Sequence, residues 1–505
     1  MLPLLAALVF GVALARVSGF YTDDSYIHLV FARSIARGDG FTFNTGQPTY
    51  GFTSPLWMLL LAAGHAAIPD WLALSRVLCL LFTLLAVAAT YRLAVAAGGT
   101  RGIAFGAAAS LALNAWFLRW SLSGMETSLA AFLVAAGLER LIRGGRAVAV
   151  GLVVLALAAL ARPEALILFG AGCLWAVVRG RRLARASGQE ARGPDRGWAA
   201  AGALGGLAIF AVWELCIHAS TGAWFPNAYT VKRFHEAFTI AGALGNMGYF
   251  FGVVGITDAI LAATAVAALW TIRRRGESAG ALALLLLWPA LLAAFYLGAR
   301  VQMISRYWIP ATPVLCAAAW VGAERAWSGA GRAWTGAGRA WGRSARSVTA
   351  GLYFAQQAAV LLFLVAPQID AFTRGLNRGP VEIGRWLHAN APPEALVATP
   401  DIGAIGFYGE RPLLDLGGLV TPAMAPILAR HDVNEVIAGA LYEPVGHPDY
   451  LVDRASLPGA LTGLTDASGR PRYELIFSSR IENLGISRPE PRYYSLYRVR
   501  RVAAP

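Results

Sequence analysis

The sequence predicts an α-helical polytopic membrane protein carrying a small α/β domain at its C-terminal end, and three observations predict it. Of 505 residues, 57% are hydrophobic and only 14% charged, with a mean hydropathy of +0.54, against roughly 25% charged in a soluble globular chain. The apolar residues fall in runs long enough to cross a bilayer, for which about 20 residues suffice. Beyond Pro367 the composition changes to charged and turn residues mixed with short apolar stretches. These numbers exclude a water-soluble enzyme, and they exclude a disordered chain, which needs low hydrophobicity and dense charge.

Eleven crossings are predicted, near 2–18, 73–91, 102–118, 125–142, 147–161, 163–178, 198–217, 250–271, 279–298, 307–324 and 348–366. The first lacks a basic start and a small-residue cleavage site, which favours an anchor over a signal peptide. The apolar stretch Pro55–Ile68 is shorter and carries Gly64 and His65, which predicts a re-entrant or interfacial segment. The net charge of 43 − 29 = +14 reflects topology, because basic residues collect in cytoplasmic loops; no nucleic-acid partner is expected. Arg140, Arg143 and Arg146, then Arg179, Arg181, Arg182 and Arg185, then Arg273, Arg274 and Arg275, then Arg325, Arg332 and Arg339 mark such loops. Their alternation predicts a cytoplasmic N-terminus, an external first loop at 19–72 and an external segment from 367 onward. A full crossing by Pro55–Ile68 would break that parity. Cys79, Cys173, Cys216 and Cys316 sit in apolar runs without CxxC spacing and read as small core hydrophobes.

Residues 1–366 are therefore expected to form the transmembrane module and 367–505 an extracytoplasmic α/β domain. A helix over Val381–Ala389, a strand over Leu396–Thr399 and a Gly-rich turn over Asp401–Gly409 are predicted in the latter. The echo RAWSGAG, RAWTGAG, RAWGRSA within Arg325–Ala345 predicts a basic interfacial cytoplasmic loop anchored by tryptophan, though low-complexity drift explains it equally well.

Ionisable groups near the apolar layer cost several kcal/mol and so mark function. On this topology Asp23, Asp24, Arg119, Glu126, Arg162, Glu164, Lys232, Arg233, Arg300 and Arg306 gather at the external ends of helices. The most informative stretch is Phe20-Tyr21-Thr22-Asp23-Asp24-Ser25-Tyr26-Ile27-His28. It leads into an amphipathic helix expected on the membrane surface, with Ile27, Val30, Phe31 and Ile35 on one side and His28, Arg33 and Arg37 largely on the other. Thr22, Asp23 or Asp24 could simply cap that helix. Two adjacent acids exceed what a cap requires, and a carboxylate there could take a proton from a hydroxyl. The run from Gly38 to Trp57, with Tyr50, Phe52 and Trp57, suits either a loop that stacks on sugars or an interfacial aromatic belt. Arg162 and Glu164 could pair within a hairpin, and Glu126 could serve a helix dipole.

The run DDSYIHLVFARSIARGDGFTFN, then YGFTSPLW, SGMET at Ser123–Thr127, ARPEA at Ala161–Ala165, WFPNAY at Trp224–Tyr229, RYWIPATP at Arg306–Pro313 and DIGAIGFYGERPLLDLGGL at Asp401–Leu419 resembles the GT-C class of integral-membrane glycosyltransferases. The likeness is nearest to the mycobacterial terminal arabinofuranosyltransferase branch and extends from about residue 20 to 420. It implies an enzyme of the bacterial plasma membrane that moves a sugar from a polyprenyl-phosphate carrier to a glycan, lipid or protein acceptor on the outer face. It further implies an acidic base in the first external loop, at Asp23 or Asp24 with Asp24 slightly favoured, and a carrier phosphate held by Arg306, Lys232, Arg233 and Arg162. Lys232 is the chain's single lysine. His28, Tyr50, Trp57, Glu126, Glu164, Asn227 and Tyr307 are the expected substrate contacts. Some relatives in the class use a divalent cation near the acidic loop; Asp23 and Asp24 could support one, and nothing in the sequence demands it.

The residue chemistry agrees with that resemblance. A lipid phosphate leaves readily only if fixed cations meet its developing charge, for which arginine offers a bidentate fork. One base without a second carboxylate nucleophile implies single displacement with inversion. A transporter or flippase for lipid-linked sugars would share the spans and basic groups, but is expected to carry broken helices and midplane polar residues. A non-catalytic envelope scaffold is the third alternative.

Overall fold

The computed structural model describes residues 19–186, 194–229, 240–277, 280–299, 303–333, 336–465, 469–482 and 491–500, besides 3–6 and 11. The chain divides into two compact units. The first comprises Met1–Val17, Arg76–Trp213 and Phe238–Val365; the second comprises Ser18–Ser75, Glu214–Ala237 and Ala366–Pro505. Most of the predicted first span, and Lys232, Arg233 and Arg300, lie outside the described residues.

Two helices open the described chain, α1 (Asp23–Arg37) and α2 (Pro55–Gly64). Helix α1 begins on Thr22, whose N–H donates to Ser25 Oγ (3.3 Å) while the two hydroxyls lie 2.8 Å apart. It ends on Gly38, whose φ of 85° is the left-handed cap conformation that glycine adopts without a Cβ clash. The expected surface helix is instead enclosed. Ser25 through Ala32 are all buried, because Tyr26 packs on Phe407 and Tyr408 and Phe31 packs edge-on to Phe43 and Phe52.

The first unit is helical. In chain order follow α3 (Trp71–Ala96), α4 (Arg101–Ala112), α5 (Ala115–Trp120), α6 (Thr127–Arg143), α7 (Ala147–Ala161), α8 (Ala165–Ala186), α9 (Pro194–Thr221), α10 (Ile240–Thr257), α11 (Ala259–Arg274), α12 (Gly280–Ala299), α13 (Ser305–Trp308), α14 (Thr312–Ala333) and α15 (Gly336–Val360). Helix α6 lies along α7, and α14 lies along α4 and α11. The first pair meets at Gly137 and Gly151, where an added Cβ would come within 2.6 Å of Leu155 and 2.9 Å of the Gly137 carbonyl oxygen. Small residues thus let the two backbones approach.

Four described helical segments are long and apolar enough to cross a membrane: Trp71–Ala96, Arg196–Thr221, Gly280–Gly298 and Ser347–Asn390. Their outer faces carry large apolar side chains, Leu204 at 67% exposure and Phe363 at 83% among them, as helices bathed in lipid do. The predicted span at 250–271 is instead a pair, Leu244–Thr257 and Ala259–Arg274, bent by 88°. The break falls at Asp258, fully buried with its carboxylate turned to side-chain donors. The predicted span at 102–118 is likewise divided into α4 and α5 at Asn114, which caps α5 by accepting from Phe117 N (2.9 Å). The expected loop over Arg325–Ala345 has helical backbone on both sides of residues 334–335; its alanines and arginines are good helix formers.

The second unit continues with α16 (Ala366–Leu376), α17 (Glu382–Asn390), β1 (Val397–Thr399), α18 (Gly403–Gly409), β2 (Leu413–Asp415), α19 (Ala425–Leu428), α20 (Val433–Ala438), β3 (Tyr450–Ala455), β4 (Tyr473–Ile481) and β5 (Arg492–Val499). The strands form one sheet in the order β2-β1-β3-β5-β4. The first three are parallel, with Val397 opposite both Leu413 and Tyr450; β5 runs antiparallel to β3 and β4, with Leu451 opposite Tyr497. Leu414, Leu416, Met424, Val436, Tyr442, Leu451 and Tyr497 fill the core against it. The predicted turn over Asp401–Gly409 is largely helix α18.

Candidate functional site

In the second unit the adjacent acids of α1 have different surroundings. The Asp23 carboxylate accepts from Gly403 N (2.9 Å) and Ala404 N (2.8 Å), one N–H per oxygen. Burial and the neighbouring Asp401 charge push its pKa up to about 7, against the pull of those two hydrogen bonds. Gly403 is what admits the carboxylate: a Cβ there would stand 1.9 Å from the Asp23 backbone oxygen. Asp401 is bound by Arg454, whose Nη1 donates to both oxygens (2.9 and 2.6 Å), and by the Tyr494 hydroxyl (2.6 Å). Asp24 occupies the next position on the first turn and, like Asp23, is partly exposed. Helix capping is already provided by Thr22 and Ser25, so neither acid is needed for it.

The other expected contacts of this unit are mostly structural in their visible bonds. His28 is buried on α1, Tyr50 is 5% exposed and Trp57 is fully buried in α2. Asn227 ties the Thr49–Tyr50 segment to the loop after β2: its N–H donates to Tyr50 O (2.9 Å), and Nδ2 donates to Thr49 Oγ1 (3.0 Å) and Leu419 O (2.9 Å). Asp415, raised to about 6 by burial, accepts from Gly417 N and Val420 N at 2.8 Å each and so shapes its own loop.

In the first unit a charged cluster is sealed. Arg162 Nε donates to Glu164 Oε1 (2.8 Å), Nη2 lies 2.7 Å from the same oxygen, and Nη1 donates to Glu126 Oε1 (2.9 Å). The Tyr296 hydroxyl donates to Glu164 Oε1 (2.9 Å). Tyr307 stacks flat on Tyr296 with centroids 5.2 Å apart, and the Arg162 guanidinium covers its ring at 4.8 Å. All three charged side chains are at most 8% exposed. Arg162 is thus spent on two glutamates, the pairing that the hairpin reading of its sequence anticipates.

Arg306 opens α13 and is held by aromatics: its guanidinium carbon lies 5.9 Å from the Trp120 ring and 5.2 Å from the Tyr307 ring, with Nη1 3.6 Å from Met125 Sδ. Arg119 lies over Trp116 and Trp120 at 5.9 and 5.4 Å. Two short helices carry these arginines, and Asp258 joins them. It accepts from Trp308 Nε1 (2.8 Å), Thr312 Oγ1 (3.3 Å) and Asn114 Nδ2 (2.9 Å), while Trp120 Nε1 donates to Ser305 Oγ (2.8 Å). Sequence reading missed Asp258; its signal was a lone acid inside an apolar run.

Among the described residues no three His, Cys, Asp or Glu side chains converge as metal ligands.

A family profile described as a domain of unknown function, DUF8728, matches residues 369–497. No curated protein matches the chain. Among solved structures, the chain is similar to ArnT from Cupriavidus metallidurans bound to undecaprenyl phosphate, at 14% identity and a TM-score of 0.59, over 98% of this chain and 97% of that one. The apo state of the same protein gives 16% identity and 0.56 over 88% and 92%. The oligosaccharyltransferase of Archaeoglobus fulgidus, in a complex with Zn and sulfate, gives 13% identity and 0.57 over 89% of this chain and 67% of that one. The fold is therefore that of the GT-C membrane proteins, with a small C-terminal sheet domain.

Proposed function

We propose that the chain is a GT-C glycosyltransferase that transfers a sugar from a polyprenyl-phosphate-linked donor to an envelope glycan, lipid or protein acceptor on the extracytoplasmic face of a bacterial plasma membrane. The observation that carries this reading is the likeness to ArnT over nearly the full length of both chains, joined to the acidic pair that opens α1. The undecaprenyl phosphate of that structure supports a lipid-phosphate leaving group here.

Asp24 is assigned as the base, the member of the pair that the sequence resemblance favours; each Asp23 oxygen accepts one backbone N–H, from Gly403 or Ala404. Asp24 accepts the proton of the acceptor hydroxyl as that oxygen bonds to the anomeric carbon. The bond from the anomeric carbon to the phosphate oxygen breaks on the opposite face, polyprenyl phosphate departs, and the configuration inverts. The charge that develops on the phosphate requires fixed cations, for which the sequence nominates Arg306, Lys232 and Arg233. Arg162, bound by Glu126 and Glu164, holds Tyr307 in place instead of contacting phosphate.

The test is sugar transfer by purified protein with a panel of synthetic polyprenyl-phosphate sugars that includes arabinofuranose, mannose and aminoarabinose. Consumption of one donor, lost in Asp24→Asn and severely reduced in Arg306→Ala, supports the reading; transfer by neither wild type nor variants overturns it. A second reading, translocation of lipid-linked sugars, is favoured by the 88° break at Asp258, since transporters place polar groups at broken helices. Flipping of a labelled polyprenyl-phosphate sugar in proteoliposomes, unaffected by Asp24→Asn, would establish it.

A further inference from the structure

The second unit contains a polar cavity of about 340 Å³ at the C-terminal end of α1, bounded by the loop after that helix and by the chain around Pro412. With 1.5 Å of rise per residue, Arg37 lies about 20 Å along α1 from Asp24. The cavity is at the lower end of the roughly 300–1,000 Å³ typical of small-molecule sites.

Several of its polar side chains are consumed in building the walls. Arg33 donates to Phe407 O (3.3 Å) and pairs with Glu410. Arg411 donates to the backbone carbonyls of His388, Gly409, Glu410 and Ala391. Asn44 binds Leu413 as a strand would, with Nδ2 donating to its carbonyl (2.8 Å) and Oδ1 accepting from its N–H (2.9 Å). Arg37 and Asp39 remain. They flank the Gly38 cap, both are exposed, and neither has a side-chain hydrogen bond or ion pair with a described residue. Ser34, Thr45 and Gln47 line the same space and add hydroxyl and amide groups.

This set offers one unspent cation and one unspent anion beside neutral hydrogen-bonding groups. Asp39 offsets part of the attraction of Arg37 and Arg411 for a phosphate or uronate, and the same two arginines repel an ammonium. A vicinal diol suits Arg37 and Asp39 alike, accepting from the guanidinium while donating to the carboxylate. We infer that the cavity binds a neutral saccharide, as a subsite for an acceptor glycan extending away from Asp24. The glycan chemistry follows from the cavity alone; its role as acceptor rests on the glycosyltransferase reading.

The test is calorimetric titration of the full-length protein in nanodiscs with neutral arabino-, manno- and gluco-oligosaccharides, the corresponding monosaccharides, an oligogalacturonate and inorganic phosphate. One neutral oligosaccharide series should bind saturably, more tightly than its monosaccharide, and the combined Arg37→Ala and Asp39→Ala change should weaken it at least tenfold. Thr45→Trp, at an exposed loop position, should block the cavity and abolish binding with an unchanged unfolding midpoint. The inference is overturned if no neutral oligosaccharide binds, if monosaccharide, galacturonate or phosphate binds more tightly, or if Thr45→Trp binds as wild type does. Donor transfer measured in parallel separates the two readings. Glycan binding without any sugar transfer leaves the cavity standing and removes the enzyme; transfer without glycan binding does the reverse.

Discussion

The two units handle buried charge in opposite ways. In the helical unit, Glu126, Arg162 and Glu164 are closed on one another and on Tyr296, nearly inaccessible to water. In the sheet unit, Asp401 and Arg454 each keep 21% of their side-chain surface, and Asp23 is held by backbone N–H groups in place of a cation. A sealed cluster fixes geometry, because any unmatched charge inside it is expensive. An accessible one leaves room for groups that change protonation. Arg162, one of the four cations that the sequence nominates for phosphate, is paired with two glutamates, while Asp23 of the acidic pair is held by the Gly403 and Ala404 N–H groups.

The largest break in this contrast is expected from Glu126→Ala, which leaves Arg162 short of a partner and should cost about 3–5 kcal/mol, measured by unfolding in mixed micelles. Gly403→Ala should come next, at roughly 1–3 kcal/mol, because its Cβ collides with the Asp23 backbone; hydrogen exchange of α18 would report the loss. Arg454→Ala should be milder, about 1 kcal/mol, because the 21% exposure of each partner discounts the worth of hydrogen bonds to a charged group.

A further effect concerns pH and not a truncation. Asp23 holds its proton up to about 7 in the folded chain but titrates near 3.9 when unfolded. The folded state thus binds more protons across that window, and this contribution to stability is full at low pH and is lost as pH rises toward 7. Asp23→Asn should remove that slope from the unfolding midpoint between about pH 4 and 7; an unchanged slope would show that another group produces it.

Much of the helical architecture was legible because lipid demands long apolar runs: the segment near 279–298 is displaced from α12 by one residue, and that near 147–161 coincides in its bounds with α7, which is shorter than the four segments long enough to cross a membrane. The bend at Asp258 was not, since hydropathy averages a single acid into its neighbours, whereas the fold turns on donors from Asn114, Trp308 and Thr312. In the C-terminal segment the predicted helix at Val381–Ala389 and strand at Leu396–Thr399 were found within a residue or so as α17 and β1. The packing of Tyr26 against Phe407 and Tyr408 was hidden, because it joins residues nearly four hundred positions apart. The acidic pair was visible in sequence, but the hold on Asp23 depends on Gly403, whose missing side chain carries no signal until the backbone beside it is known.

The most direct test compares wild type, Asp23→Asn and Asp24→Asn in sugar transfer from the polyprenyl-phosphate donor that wild type consumes. Loss of transfer by at least a hundredfold in Asp24→Asn, with unfolding unchanged and Asp23→Asn retaining activity, is the predicted result. Full activity in Asp24→Asn, or loss confined to Asp23→Asn, would contradict the assignment of the base.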